Sequence, residues 1–295
     1  MKTAVITDTN SGITKEEAEQ LGIFLIPMPV LIDGEVHYEA IDLTEEHFYK
    51  ALTEGKNLTT SQPSPGEVLD LWEELLKDGR YDGVVYIPMS SGLSTSCATA
   101  LSLAEEYEGK VAVADCHRIS VTMRMSVMEA KAMADNGASP AEIKKALEDA
   151  AYDSSIYVAV DTLEYLKKGG RVTPAAAAIG MVLNLKPVLT IQGERLDAFA
   201  KVRGMKKAKQ KMVDALKKDL DTRFQNIDPS RIRLGAAGAG LSAEDAEAWR
   251  KALADAFPAF DVYYDPLGFS IACHTGPGAY GCGLSIVQNA DIQAK

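Results

Sequence analysis

Short apolar runs alternate with amphipathic stretches along the first half of the chain. The runs at 4–6, 84–87 and 111–114 have the length and composition of buried strands. At Thr14, Ser64 and Ser139 the hydroxyl residue is followed three residues later by glutamate, which predicts that a helix starts at each of them. Strands that alternate with helices predict a mostly parallel sheet covered by helices.

The second half contains strand and helix patterns that do not alternate regularly. They are strand-like runs at 156–160, 187–191, 231–236 and 269–273 and helical patterns near 205–220 and 242–256. We therefore expect a mixed sheet in this half. A brief polar break at 153–155 places a boundary between two α/β domains, an N-terminal one at 1–154 and a C-terminal one at 155–295.

Composition and net charge exclude some classes of binding partner. The chain is 46% hydrophobic and has a formal net charge of -11, so it can build a large core but lacks the basic surface that nucleic acids or anionic membranes require. The apolar run near the N-terminus is too short for a signal peptide, and no stretch is long enough to span a membrane. We therefore expect a cytoplasmic protein without stable membrane insertion. The spacing of the four cysteines predicts no zinc site.

A cluster of small hydroxyl residues follows the predicted strand at 84–87. It consists of Ser90, Ser91, Ser94, Thr95 and Ser96 and opens a predicted helix. Helix N-termini expose unpaired N–H groups, so the cluster is a candidate anion site. The simpler interpretation is that Ser94 caps the helix. A second cluster, Thr59-Thr60-Ser61, precedes the helix that starts at Ser64.

His274 is followed by Thr275-Gly276-Pro277-Gly278, directly after the run at 269–273. Glycine-rich backbone can approach a ligand closely, and an imidazole can bind one. We therefore favour a ligand role for His274, Thr275 and Gly276, although a lone histidine is more often structural. At the end of the first strand, Asp8 begins a polar turn in which we expect Asp8 to support the pocket and Asn10 to form an Asx-type turn.

Basic residues gather between the two predicted sites. Residues 163–171 predict a helix that ends in Lys168, two glycines and Arg171, and further lysines surround Arg203. Cations near a helix C-terminus interact favourably with its dipole, and a charge run is usually a solvated face. In a chain of net charge -11, they could also form a docking patch for an acidic partner. The small residues at 174–183 predict close helix packing or room for a thin apolar ligand.

These motifs, taken in order, resemble the DegV family over nearly the whole chain. The matching segments are the turn at Asp8, residues 60–63, 90–94, Asp115, 163–171, 183–189, 202–203 and 274–278. The family includes fatty-acid-binding carrier subunits of bacterial fatty acid kinase. The resemblance implies two α/β domains with a long-chain fatty acid between them and no catalytic residue, metal or cofactor of the protein's own.

The resemblance also implies roles for individual residues. Hydroxyls of the two serine and threonine clusters would hold the carboxylate with the histidine nearby, which here are Thr60, Ser61, Ser91, Ser94 and His274. The basic motif is linked to the catalytic subunit of the kinase, so Arg171, Lys168 and Arg203 are the expected partner-binding residues.

Two other functions stay open. Ser94, Asp115 and His274 follow the chain order of an α/β-hydrolase triad, but the sequence around Ser94 lacks the second glycine of the nucleophile elbow. The serine loop, which comprises residues 90–96, could instead bind another small anion, such as a phosphosugar.

Overall fold

The computed structural model describes residues 1–178 and 184–293. The N-terminal half contains β1 (Thr3–Asp8), α1 (Lys15–Leu21), β2 (Phe24–Ile26), β3 (Pro29–Ile32), β4 (Glu35–Tyr38), α2 (Glu45–Thr53), β5 (Leu58–Thr60), α3 (Pro65–Leu76), β6 (Gly83–Ile87), α4 (Ser96–Ala104), β7 (Val111–Val113), α5 (Ser120–Asp135) and α6 (Pro140–Asp149).

The C-terminal half begins with β8. Its elements are β8 (Ser154–Ala159), α7 (Glu164–Gly169), α8 (Pro174–Ala177), β9 (Leu185–Ile191), β10 (Asp197–Arg203), α9 (Met205–Asp221), β11 (Ile232–Gly238), α10 (Ala243–Ala256), β12 (Val262–Pro266), α11 (Phe269–Thr275) and β13 (Tyr280–Ile286). None of the helices in the described ranges combines the length and the apolar character needed to cross a bilayer.

The described residues form three sheets. A parallel sheet has the strand order β2-β1-β6-β7, and an antiparallel sheet has the order β4-β3-β5. The third sheet is mixed, with the order β10-β9-β8-β13-β11-β12 and a parallel pairing between β11 and β12. The predicted fold class is therefore confirmed: α/β, with a parallel sheet in the first half and a mixed sheet in the second.

The helix starts at Thr14, Ser64 and Ser139 are confirmed, and each has a complete capping box. The predicted strand at 269–273 is wrong, because these residues belong to α11. A short apolar run cannot be assigned to a strand or to a buried helix by periodicity alone.

Helix α5 joins the two halves. It packs on β1 and on β11 and β13, and its Arg124 is paired with Asp265 at 2.7 Å and with Glu17 at 2.8 Å. One hydrophobic core contains residues of both halves, among them Val5 and Ile156. The mixed sheet begins at Ser154. The division into domains 1–154 and 155–295 stays a prediction.

Candidate ligand-binding site

A largely apolar cavity lies between the parallel sheet and the mixed sheet. Its walls include Met28, Met89 and Leu93 from the first half and Ile156 and Val158 from the second. The free space between the walls is about 840 Å³, counting the part of its mouth that is open to solvent.

His274 lies on one wall, near the end of α11. Its Nε2 atom is 2.9 Å from Thr60 Oγ1 at the end of β5, and these residues are 214 positions apart in the chain. Gly169 lies directly against the ring, since a Cβ atom at that position would be only 2.0 Å from Nδ1. Burial, reinforced by the nearby Arg171, lowers the pKa of His274 to about 4. The imidazole is therefore neutral near pH 7.

Arg171 supplies a positive charge to the same wall. Its Nη1 donates to the carbonyl of Gly169 at 2.5 Å, and its Nε donates to the carbonyl of Leu93 at 3.3 Å. The second bond places the guanidinium beside the serine loop, whose Ser94 also lines the cavity. Hydroxyls, a neutral imidazole and a guanidinium thus gather at one part of a mostly apolar space.

The two ligand residues predicted in the serine loop lie in different places: Ser94 lines the cavity and Ser91 is exposed at the surface. Ser94 is on the cavity wall, and its Oγ accepts from the backbone N–H of Ser96 at 3.2 Å. Helix α4 is preceded by Thr95, which makes no side-chain capping bond. Ser91 is exposed and its backbone N–H donates to Asp115 Oδ1 at 3.4 Å, so its side chain does not contribute to the wall in this conformation.

The other predicted ligand residues also differ in whether they line the cavity. Ser61 and Thr275 line the cavity beside Thr60 and His274. Gly276 is not on the wall. It has a φ of 74° and lies against the ring of Tyr165, where a Cβ atom would be 2.4 Å from Cδ2.

Two buried carboxyl groups support this region. Asp8 accepts from the backbone N–H groups of Asn10 and Met89, both at 2.9 Å, so Asp8 forms the Asx-type turn that we expected of Asn10 and also fixes Met89. Burial raises the pKa of Asp8 to about 6 and that of Glu39 to about 7. Glu39 accepts from Phe269 N at 2.6 Å and so anchors the start of α11. Nothing in the sequence around Glu39 indicated this contact.

The predicted partner-binding residues lie in different environments. Lys168 is exposed and its Nζ donates to Asn57 Oδ1 at 2.9 Å, and Arg203 is exposed at the end of β10. Arg171 is half-buried at the cavity. Partner binding by all three stays a prediction. Within the small-residue run at 174–183, residues 179–183 lie outside the described part of the chain.

The hydrolase interpretation requires Ser94, Asp115 and His274 to form a relay. The structure gives them separate partners, because His274 faces Thr60 and Asp115 accepts from the backbone of Ser91 and His117. Within the described ranges, no three His, Cys, Asp or Glu side chains are grouped so that they could hold a metal ion.

Comparison with known proteins identifies the family. The family model described as "Uncharacterised protein, DegV family" matches residues 2–287. A DegV domain-containing protein of Listeria innocua is 33% identical over 97% of this chain and 99% of its own length, and Protein DegV of Bacillus subtilis is 34% identical over 95% and 98%.

Solved structures agree with the sequence relatives. A DegV family protein from Thermus thermophilus, described by its fatty acid binding, superimposes with a TM-score of 0.85 at 31% identity, over 97% of this chain and all of the other. DegV from Bacillus subtilis, described as a fatty acid binding protein, gives 0.83 at 31% identity, over 97% and 99%. The chain therefore belongs to the DegV family.

Proposed function

We propose that this protein binds a long-chain fatty acid, with the tail in the apolar cavity and the carboxylate at Thr60, His274 and Arg171. The observation that carries the proposal is the uneven lining of the cavity: a cationic and hydroxyl-bearing corner opens into a space whose other walls are mostly apolar. The fatty acid binding described for both solved relatives supports the same ligand class.

The tail supplies most of the binding free energy. Each buried methylene contributes about 0.8 kcal/mol, so about fifteen methylenes contribute on the order of 12 kcal/mol before the costs of association and ordering. Such a tail needs an apolar space shielded from water rather than a surface groove, and the mostly apolar walls of the cavity between the sheets support this assignment.

The polar corner, which consists of Thr60, Ser61, Ser94, Arg171 and His274, holds the carboxylate end of the ligand. A buried carboxylate is costly without partners, and charge-assisted hydrogen bonds offset that cost. Arg171 provides the opposite charge. If Nε2 of the neutral His274 carries the proton, it donates to Thr60 Oγ1, which leaves the Thr60 hydroxyl proton free for the carboxylate. Ser61 and Ser94 add hydroxyls at the same wall.

We further propose that the protein is a carrier that presents the carboxylate to a fatty acid kinase catalytic subunit, which converts it to an acyl phosphate. Ser61 lines the cavity next to Thr60 and is exposed, so the ligand's head would lie near the surface. Lys168, Arg171 and Arg203 are the residues we expect the kinase to contact, with Lys168 and Arg203 exposed on the outside.

Ligand binding is tested by native mass spectrometry of the protein purified from bacteria and of delipidated protein with added fatty acid. We expect a mass excess equal to one fatty acid. The Thr60→Val variant removes one hydroxyl and should bind about tenfold more weakly, whereas the neighbouring, exposed Thr59→Val is a matched control that should bind normally. A protein that stays empty with every added acid would refute the proposal. Displacement of the lipid by sugar phosphates would support the small-anion alternative instead.

Carrier function is tested separately by adding ATP and a bacterial fatty acid kinase catalytic subunit to the loaded protein. Acyl phosphate, trapped as a hydroxamate by hydroxylamine, should form with the wild type and decrease in a Lys168→Glu/Arg203→Glu variant that still binds lipid. A loaded protein that yields no acyl phosphate would refute the kinase step while leaving lipid binding intact.

A further inference from the structure

The segment between β7 and α5 contains an unusual concentration of unsatisfied polar groups. His117 Nδ1, Arg118 Nη1 and Ser120 Oγ are buried and have no hydrogen-bond partner within the described residues. His117 and Ser120 also have positive φ angles of 52° and 55°, which are uncommon for residues other than glycine. Strained backbone with unpaired polar atoms is characteristic of binding sites.

Ser120 is the member of this group that lines the cavity. Its side chain is 7% exposed, and it is the first residue of α5, a helix of 16 residues. Ile119 precedes the helix and has no side-chain group to cap it. The start of α5 therefore brings an unpaired hydroxyl and the positive end of a helix dipole to the wall of the cavity.

Ser120 lies on a different element from His274. Helix α5 packs on β1, β11 and β13, whereas α11, which carries His274, packs on α7 and β5. The segment before Ser120 contacts the serine loop, because the backbone N–H of Ser90 donates to the carbonyl of Arg118 at 3.0 Å. The neighbours of Ser120 along the chain, Ile119 and Val121, line the cavity with apolar side chains. Ser120 is thus an unpaired hydroxyl between two apolar residues of the cavity wall.

We propose that Ser120 and the start of α5 form a second polar contact that selects acyl chains carrying an oxygen substituent, a hydroxyl or an oxo group, at the position that reaches this wall. This inference rests on the proposed fatty acid binding. An unsubstituted chain leaves the Ser120 hydroxyl buried and unpaired, which is unfavourable, whereas an oxygen on the chain accepts its proton. The helix dipole favours the partial negative charge of that oxygen.

The experiment compares stearic acid with stearic acids that carry one hydroxyl at a near, middle or terminal carbon. Each acid competes against a fluorescent fatty acid for the delipidated wild type and for Ser120→Ala. We expect one positional isomer to bind about tenfold better than the others and this preference to disappear in Ser120→Ala, while stearic acid binds at least as well as before. Ser126→Ala is the matched control, since Ser126 is buried on the same helix but does not line the cavity.

Two further outcomes separate this inference from the proposed function. If stearic acid binds but no isomer is preferred, or if the preference survives in Ser120→Ala, the second polar contact is refuted and lipid binding stands. If no acid binds at all, both proposals fail. Ser120→Gly also removes the hydroxyl and accepts the positive φ without strain, so it gives the same test if Ser120→Ala does not fold.

Discussion

Replacing Gly169 by alanine should weaken ligand binding, although helix propensity alone predicts a more stable protein. Gly169 is the last residue of α7, where alanine is normally favoured over glycine by about 0.5–1 kcal/mol. Helix propensity alone therefore predicts a stabilised protein. The structure predicts damage to the ligand site, because the new Cβ atom would lie 2.0 Å from Nδ1 and 2.6 Å from Cε1 of His274.

The magnitude follows from these distances. Carbon atoms and their neighbours normally approach to about 3.5–4.0 Å, so the imidazole must move by more than an ångström. That shift breaks the 2.9 Å hydrogen bond between His274 and Thr60 and misplaces both groups relative to the carboxylate. Loss of one hydrogen bond to a charged group costs about 1.5–3 kcal/mol, which corresponds to about ten- to a hundredfold weaker binding.

The assay measures displacement of a fluorescent fatty acid from delipidated protein, together with urea unfolding without ligand. Gly170→Ala is the control, because a Cβ atom at Gly170 would meet nothing within 4 Å, but its φ of 68° disfavours alanine. We expect Gly170→Ala to lower the free energy of unfolding by about 1 kcal/mol and to bind normally. Binding by Gly169→Ala within about twofold of the wild type would refute the reasoning.

Three further predictions follow from other contacts. Because burial raises the pKa of Glu39 from 4.5 to about 7, the free energy of unfolding should fall as the pH rises through this interval. In urea titrations at several pH values, Glu39→Gln should remove up to about 3 kcal/mol of this fall, and the raised pKa of Asp8 should leave a residual slope. An unchanged pH profile in Glu39→Gln would contradict this prediction. Gly281 lines the cavity and has room for a Cβ atom 3.5 Å from its nearest neighbour, so Gly281→Val should weaken stearic acid more than lauric acid in the displacement assay, and equal effects would count against a tail site there. Asp265→Asn removes one of the two carboxylates paired with the buried Arg124, which keeps Glu17 at 2.8 Å, and should cost up to about 3–5 kcal/mol in urea unfolding. A loss below about 1 kcal/mol would show that the remaining contacts of Arg124 compensate its charge.

The parts of the fold that could be predicted depend on local chemistry. A capping box involves residues three positions apart, so the helix starts at Ser64 and Ser139 are visible in the sequence. Helix α5 was not predicted, because its buried face includes polar residues such as Thr122, Arg124 and Glu129, which hide the apolar periodicity. Strand β10 was missed because it is an edge strand with few buried residues.

The candidate site was predicted as separate motifs but not as an arrangement. The hydroxyl pair at Thr60 and Ser61 and the histidine at 274 were each identified from their neighbours in sequence. Their contact joins residues 214 positions apart, and no local pattern encodes it. Ser120 was missed for a different reason: a single serine before a helix is common, and its significance depends on burial and on the cavity wall, which only the fold defines.

The arrangement of α7 and α11 connects the two kinds of site that the sequence suggested separately. The helices approach each other through two glycines, Gly169 against the ring of His274 and Gly276 against the ring of Tyr165. A side chain at either glycine would collide with the opposite helix, so the two helices are in direct contact at both points. Arg171 follows α7 directly and donates to the carbonyl of Gly169. A partner protein that bound Arg171 and displaced it would therefore also displace Gly169, which lies against the imidazole of His274. Binding of the partner and binding of the carboxylate should thus be energetically coupled rather than independent.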